Sequence, residues 1–219
     1  MTSLVFTVYS ELLPYKGRQK HTVPFVRKMI NVLEQGKISE IKFAEILFKH
    51  PQKNIVDVLK ISTKTKIPYI DYQKIDVDKK INHKSPKLRR DIKNALHNLH
   101  KLNIIYIDLH DDNIGYDSVS KEWRIIDFDA SGLCTKSKLK WKIKPTNSYL
   151  YDHVVESCLK NGVVYKPWGS DDHPVKLSKK KIRVIKKICK KKYLTKFDEI
   201  MYYIEFGELL YPLESKSHQ

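Results

Sequence analysis

The sequence predicts an α+β fold in which short strands come first and helices dominate later. Three observations carry this. The first 75 residues hold four short runs rich in β-branched and aromatic residues, broken by polar turns. Leu88, Ile92, Leu96, Leu99 and Leu102 recur at helical spacing, the strongest such pattern in the chain. From about residue 146 onward, apolar residues again follow a helical period.

Taken in order, Leu4 to Tyr9 and Val23 to Ile30 read as strands, with the polar stretch Pro14 to His21 as the turn between them. Ser39 then opens a helix over 39–49, where Ile41, Ala44, Leu47 and Phe48 lie on one apolar face, and Pro51 ends it. Strand character returns at Ile55 to Ile61 and Ile67 to Ile75, separated by Ser62-Thr-Lys-Thr-Lys. A polar connection, Asp76 to Ser85, leads into the helix at 88–102, for which Asn103 is a suitable stop. Ile104 to Ile107 and Trp123 to Ile126 read as two short strands flanking a polar loop. Helices follow at Tyr149 to Leu159, Lys179 to Lys192 and Thr195 to Leu210. The organisation expected is one domain over 1–219, with a β-rich part over 1–75 and an α-rich part over 76–219.

Composition narrows the classes. With 219 residues, 41% hydrophobic and 31% charged, the chain is long and apolar enough to bury a sizeable core, which excludes a disordered tail. Forty-two Lys+Arg against twenty-five Asp+Glu give a net charge of +17, a field that attracts polyanions. Seven glycines are too scattered to write GxGxxG or GxxxxGK, so the Rossmann fingerprint and the P-loop are both excluded. Cys134, Cys158 and Cys189 have neither an even number nor CxxC spacing, which argues against a disulfide framework or zinc knuckle and for a reducing compartment. The N-terminus lacks a basic n-region, and no stretch approaches the roughly 18 apolar residues of a membrane span. A cytoplasmic protein without membrane contact is therefore expected.

Residues 106–129 read YIDLHDDNIGYDSVSKEWRIIDFD. Asp108 is followed five positions on by Asn113, and Asp127 comes directly after an apolar strand. One loop thus offers a carboxylate beside an amide, and a neighbouring strand end offers a second carboxylate. Phosphoryl transfer uses such a set: a carboxylate to orient the attacking hydroxyl, and hard oxygen ligands for Mg²⁺.

These residues resemble the H-R-D-x-x-x-x-N and D-F-G motifs of the protein-kinase-like superfamily, and the strand and helix order upstream is similar to the small lobe of that fold. More narrowly, YIDLHDDNIGYD with WRIIDFDASG resembles short serine/threonine-kinase-like proteins of giant DNA viruses. The resemblance is strong over about residues 95–132 and weaker over 23–75. It implies a minimal two-lobed kinase-like fold, with ATP and Mg²⁺ as cofactors. Asp108 would then orient the nucleophile, and Asn113 and Asp127 would hold the metal.

The same resemblance places Lys28, at the end of Phe25-Val-Arg-Lys, where the family's V-A-I-K lysine stands, with Val26 against adenine. Its ionic partner is expected from the helix at 39–49. Glu40 is the choice, since Phe43 and Leu47 follow it at i+3 and i+7, and Glu45 competes. Asp152 resembles the aspartate that braces the catalytic loop from a later helix.

Departures from the family pattern matter too. Tyr106-Ile107 replaces His-Arg, so the arginine that reads a phosphorylated activation loop is missing. Asp129 replaces the glycine of D-F-G, and His110, a candidate donor to the γ-phosphate, replaces a lysine; both are similar to aminoglycoside and choline phosphotransferases. Only Gly17 lies in the first turn, where the family has a Gly-rich loop, and no A-P-E follows. The leading expectation is a protein serine/threonine kinase with a protein substrate. The alternatives are a small-molecule phosphotransferase and a pseudokinase scaffold that binds nucleic acid.

Two lysine-rich stretches remain. Lys136, Lys138, Lys140, Lys142 and Lys144 alternate as if on an extended strand, a candidate docking strip for an acidic substrate. Lys179 to Lys192 holds nine basic residues and no acid around an apolar stripe of Ile182, Ile185, Ile188 and Cys189. It reads as an amphipathic helix whose lysines face outward and could bind nucleic acid without sequence preference.

Overall fold

The computed structural model describes residues 7–9, 24–30, 37–145, 156, 159–160, 162–164 and 175–213. Within these the chain is α+β, with small antiparallel sheets and several helices. The expected turn at 14–21, Asp152 and most of the expected helix at 149–159 lie outside the described residues.

The first sheet has the order β1-β2-β4-β3, built from β1 (Thr7–Tyr9), β2 (Phe25–Met29), β3 (Val58–Ser62) and β4 (Tyr69–Gln73), all antiparallel. Arg27 stands opposite Asp71 in the β2–β4 register and pairs with it at 2.7 Å, so the two central strands carry a charged cross-strand pair. Helix α1 (Lys37–Lys49) covers one face of this sheet with Phe43, Ala44 and Leu47. Phe48, expected on that apolar face, is instead 50% exposed: at about 100° per residue it lies a further step around from Leu47, at the end of the helix.

Helix α2 (Pro86–Lys101) starts where the sequence has its signals. The Ser85 side chain accepts from the Leu88 N–H and Pro86 occupies the first turn. Leu88, Ile92, Ala95, Leu96 and Leu99 are all buried, and the chain leaves the helix through Asn103 in a left-handed conformation, φ 62°. β5 (Ile104–Ile105) follows, then a short 3₁₀ turn at Asp111–Asn113 and the hairpin β6 (Ile114–Asp117) and β7 (Glu122–Ile125). That hairpin is seated on α2 by Asp91, which accepts from the Trp123 N–H at 3.1 Å.

β8 (Gly132–Cys134) pairs with β5 on one side and with β9 (Trp141–Ile143) on the other. The alternating lysines therefore do not lie on one extended strand. Lys136, Lys138 and Lys140 fall in the connection between β8 and β9, where Lys138 has φ 55°, and the chain reverses there. A two-stranded ribbon, β10 (Val163–Val164) with β11 (Val175–Lys176), precedes two helices, α3 (Lys179–Cys189) and α4 (Lys196–Phe206). Ser178 caps α3 through the Lys181 N–H, and Gly207 ends α4 at φ 71°.

The sheet and the helices are joined. Ile55 forms a parallel bridge with Ile125, and Asp76 an antiparallel one with Tyr116. One buried apolar cluster runs from Ile30, Phe43 and Ile70 through Ile92, Leu96 and Leu99 of α2 to Ile188 and Phe206.

Candidate functional site

Two groups of side chains meet between the sheet and α2. In the first, Lys28 projects from β2 into the interior and is only 3% exposed. Its Nζ lies 2.8 Å from Glu40 Oε1 on α1 and 2.9 Å from Asp127 Oδ1 after β7. Glu40 is fully buried, and the Tyr72 hydroxyl of β4 donates to the same Oε1 at 3.3 Å. Glu45 faces the other way and pairs with Lys42 at 3.2 Å on the exposed side of α1. Val26 is half-buried, two positions before Lys28 on β2, opposite Tyr72.

Burial alone would lower the Lys28 ammonium, but Glu40, Asp127 and Asp129 outweigh it and hold its pKa above the ordinary lysine value. Burial pushes the Glu40 carboxyl up, against the pull of Lys28. Lys28 therefore stays charged among three carboxylates. Oxygens of Glu40, Asp127 and Asp129 all lie within 4.8 Å of one another, the spacing of a cation site.

Asp127 reaches this position through an unusual backbone. Its φ is 54°, a left-handed conformation that a residue with a Cβ adopts at a cost of about 1 kcal/mol or more. The Asp129 N–H closes the turn onto Asp127 Oδ1 at 3.3 Å.

The second group is the loop at 108–113. Asn113 Nδ2 donates to the Asp108 carbonyl at 2.9 Å and to Asp108 Oδ2 at 3.1 Å, and stands 2.9 Å from His110 Nε2. Bonding on the Nδ2 side fixes the amide plane, which turns Asn113 Oδ1 away from Asp108. With Nε2 facing an amide donor, the His110 tautomer that fits carries its proton on Nδ1, 3.6 Å from Asp112. The two groups are tied together by backbone: the Ile126 N–H donates to the Asn113 carbonyl at 3.0 Å. The Tyr106 hydroxyl donates to the Ile126 carbonyl at 2.7 Å.

Sequence reasoning missed the brace beneath the loop. Asp198 of α4 is fully buried; its Oδ2 accepts from the Tyr106 N–H at 3.3 Å and from His100 Nε2 at 2.5 Å. His100 Nδ1 in turn meets the Tyr211 hydroxyl at 2.7 Å. A signal was present: Asp198 shares a helix face with Met201 and Tyr202, and His100 follows Leu96 by four, so both polar residues sit in apolar stripes. At the rim, Asp111 pairs with His83 Nε2 at 2.9 Å.

The arrangement sets an acidic group that could hold a cation, Glu40, Asp127 and Asp129, beside a loop whose Asp108 carboxylate is half-buried. Comparison of the chain with protein-family models and with curated proteins finds no match.

Proposed function

We propose that this chain is an ATP-dependent phosphotransferase that moves the γ-phosphoryl group to a hydroxyl, most readily a protein Ser or Thr, on a minimal two-lobed kinase-like fold. The observation that carries the reading is Lys28, held at 2.8 Å from Glu40 and 2.9 Å from Asp127, with the Asp108–Asn113 loop hydrogen-bonded alongside. A buried ammonium bound by two carboxylates from different elements is a costly arrangement for stability alone. It suits a site that must grip α and β phosphates and orient a metal ligand.

In this reading residues 1–75 supply Lys28 and Glu40, with Val26 against the adenine ring, and residues 76–219 supply the loop. Asp108 accepts the hydrogen bond of the attacking hydroxyl and aligns it with the γ-phosphorus. Asn113 and Asp127 offer the hard oxygen donors that Mg²⁺ takes, and the ion would neutralise charge on the β and γ phosphates. His110 stands within the loop, where its Nδ1–H can be offered to a γ-phosphate oxygen.

A second reading, transfer to a small alcohol, is favoured by Asp129, whose carboxylate joins the Glu40–Asp127 group where protein kinases have glycine. One incubation separates these. The purified chain, γ-labelled ATP and Mg²⁺ are mixed with generic proteins in one arm and with aminoglycosides and choline in another. Label on protein supports the first reading and label on small molecule the second. No label in either arm, with no Mg²⁺-dependent ATP loss, overturns both.

A further inference from the structure

The two lysine-rich stretches, far apart in sequence, meet in space. The Leu194 N–H donates to the Lys138 carbonyl at 2.9 Å, and Trp141 packs edge-on against Phe197 with ring centroids 5.5 Å apart. These contacts seat the β8–β9 connection against the segment that leaves α3. From the structure we infer that α3 and the β8–β9 hairpin form one composite surface that binds the phosphate backbone of double-stranded nucleic acid.

Charge is the first argument. Seven of the nine basic residues between 179 and 192 are exposed, as are four of the five lysines between 136 and 144, and neither stretch contains an acid. Among the described residues, Lys191 alone of these is drawn into an ion pair, with Glu199 at 2.7 Å. Such a density of unneutralised cations on one side raises the net cost of folding by self-repulsion, and an anionic partner relieves it.

Geometry is the second. The apolar side of α3 is consumed by the core through Ile185 and Ile188, which turns the opposite side outward and fixes the helix in place. On that outward side Lys179, Arg183, Lys186 and Lys190 follow at i, i+4, i+7 and i+11. At roughly 1.5 Å per residue they span about 17 Å. One strand of a duplex presents a phosphate about every 3.4 Å of axis, so some five phosphates lie along that length. The Lys138 carbonyl, between Lys136 and Lys140, meets the Leu194 N–H five residues beyond the end of α3, which brings the hairpin that carries these two lysines up to that end of the array.

The apolar content decides against other partners. Leu139 and Tyr193 are 51% and 48% exposed at the junction, too little apolar area to anchor a bilayer. Single strands are held by several stacking aromatics, and among the described residues Tyr193 is the one exposed aromatic side chain at the junction, since the Trp141 ring is engaged by Phe197. The inference does not depend on the phosphotransferase reading.

The test is fluorescence anisotropy with the full chain and a labelled DNA duplex of about 20 base pairs, between about 50 and 200 mM KCl. Affinity should fall by on the order of 1000-fold across that range, as for six or more phosphate contacts. The Lys136→Gln/Lys140→Gln variant should lower the salt slope by about 2, and Lys179→Gln/Arg183→Gln/Lys186→Gln/Lys190→Gln by about 4. Lys64→Gln/Lys66→Gln, in the exposed turn between β3 and β4, should change neither. All the substituted side chains are exposed, and circular dichroism checks the fold. The inference is overturned by no duplex binding at the lowest salt, by a hairpin variant that binds like the parent, or by an equal loss in the Lys64/Lys66 control. Tighter binding of the single strand overturns it as well, and so does binding only to phosphatidylserine vesicles, lost in Leu139→Ser/Tyr193→Ser.

Discussion

At the scale of single residues, Lys28 shows how a charge survives burial. A lone lysine so enclosed would give up its proton, and here Glu40 and Asp127 keep it. Removing one partner therefore changes the other two. Glu40→Gln should cut ATP turnover on the order of 100-fold while Glu45→Gln changes it less than about twofold, and the Glu40 effect should shrink in a Lys28→Met background. Equal losses from both glutamates, measured as kcat/KM, would remove Glu40 from the site. Asp127→Asn should abolish Mg²⁺-dependent turnover in a chain that circular dichroism still reports as folded, with a lowered thermal midpoint, because the buried Lys28 ammonium loses one of the two carboxylates it pairs with. Retained turnover in that variant would refute the metal assignment.

At the scale of elements, α2 and α4 hold the loop from below, and Asp198 is the pin. Asp198→Asn leaves a hydrogen-bonding side chain but removes the charge that His100 and the Tyr106 N–H share. It should lower kcat more than it raises the KM for ATP, since it positions Asp108 and leaves Lys28 untouched; the reverse split would make the role merely structural. The β6–β7 hairpin has its own device. Asp117 accepts from the Val119 and Ser120 N–H groups and from the Ser120 hydroxyl, and although burial opposes it these bonds and Arg124 depress its carboxyl. A depressed carboxyl gives stability that is present above the unfolded value of about 3.9 and is lost as pH falls through the folded one. Asp117→Asn should cost about 1–2 kcal/mol in urea melts at neutral pH, and the gap should close as the pH falls below about 3.9.

How far elements could be read in advance depended on how local their causes are. Ser85, Pro86 and a stripe of apolar residues specify α2 within sixteen residues, and that helix could be written down directly. The choice between Glu40 and Glu45 needed to know which face of α1 meets the sheet, which Phe43 and Leu47 decide only by packing. Alternate lysines at 136–144 suggested a strand, because a reversal at a left-handed lysine leaves no compositional mark. Asp198 acts on residues more than ninety positions earlier, and no periodicity within α4 reports a partner that distant.

At the scale of the molecule, one apolar cluster joins sheet and helices, from Ile30 and Phe43 to Ile188 and Phe206. Unfolding should therefore be a single transition: urea curves followed by tryptophan fluorescence and by far-ultraviolet circular dichroism should coincide. Separated midpoints would show that the sheet melts on its own. The long reach of the site's contacts also sets an order in time. Lys28 and Asp127 are 99 residues apart and His100 and Asp198 are 98, so each closes a large loop, and the second cannot form until α4 has been made. A chain that stops at residue 195 would already carry Lys28, Glu40, Asp108, Asn113 and Asp127 and still lack Asp198, the pin beneath its loop, so the two groups of side chains can be synthesised well before their brace.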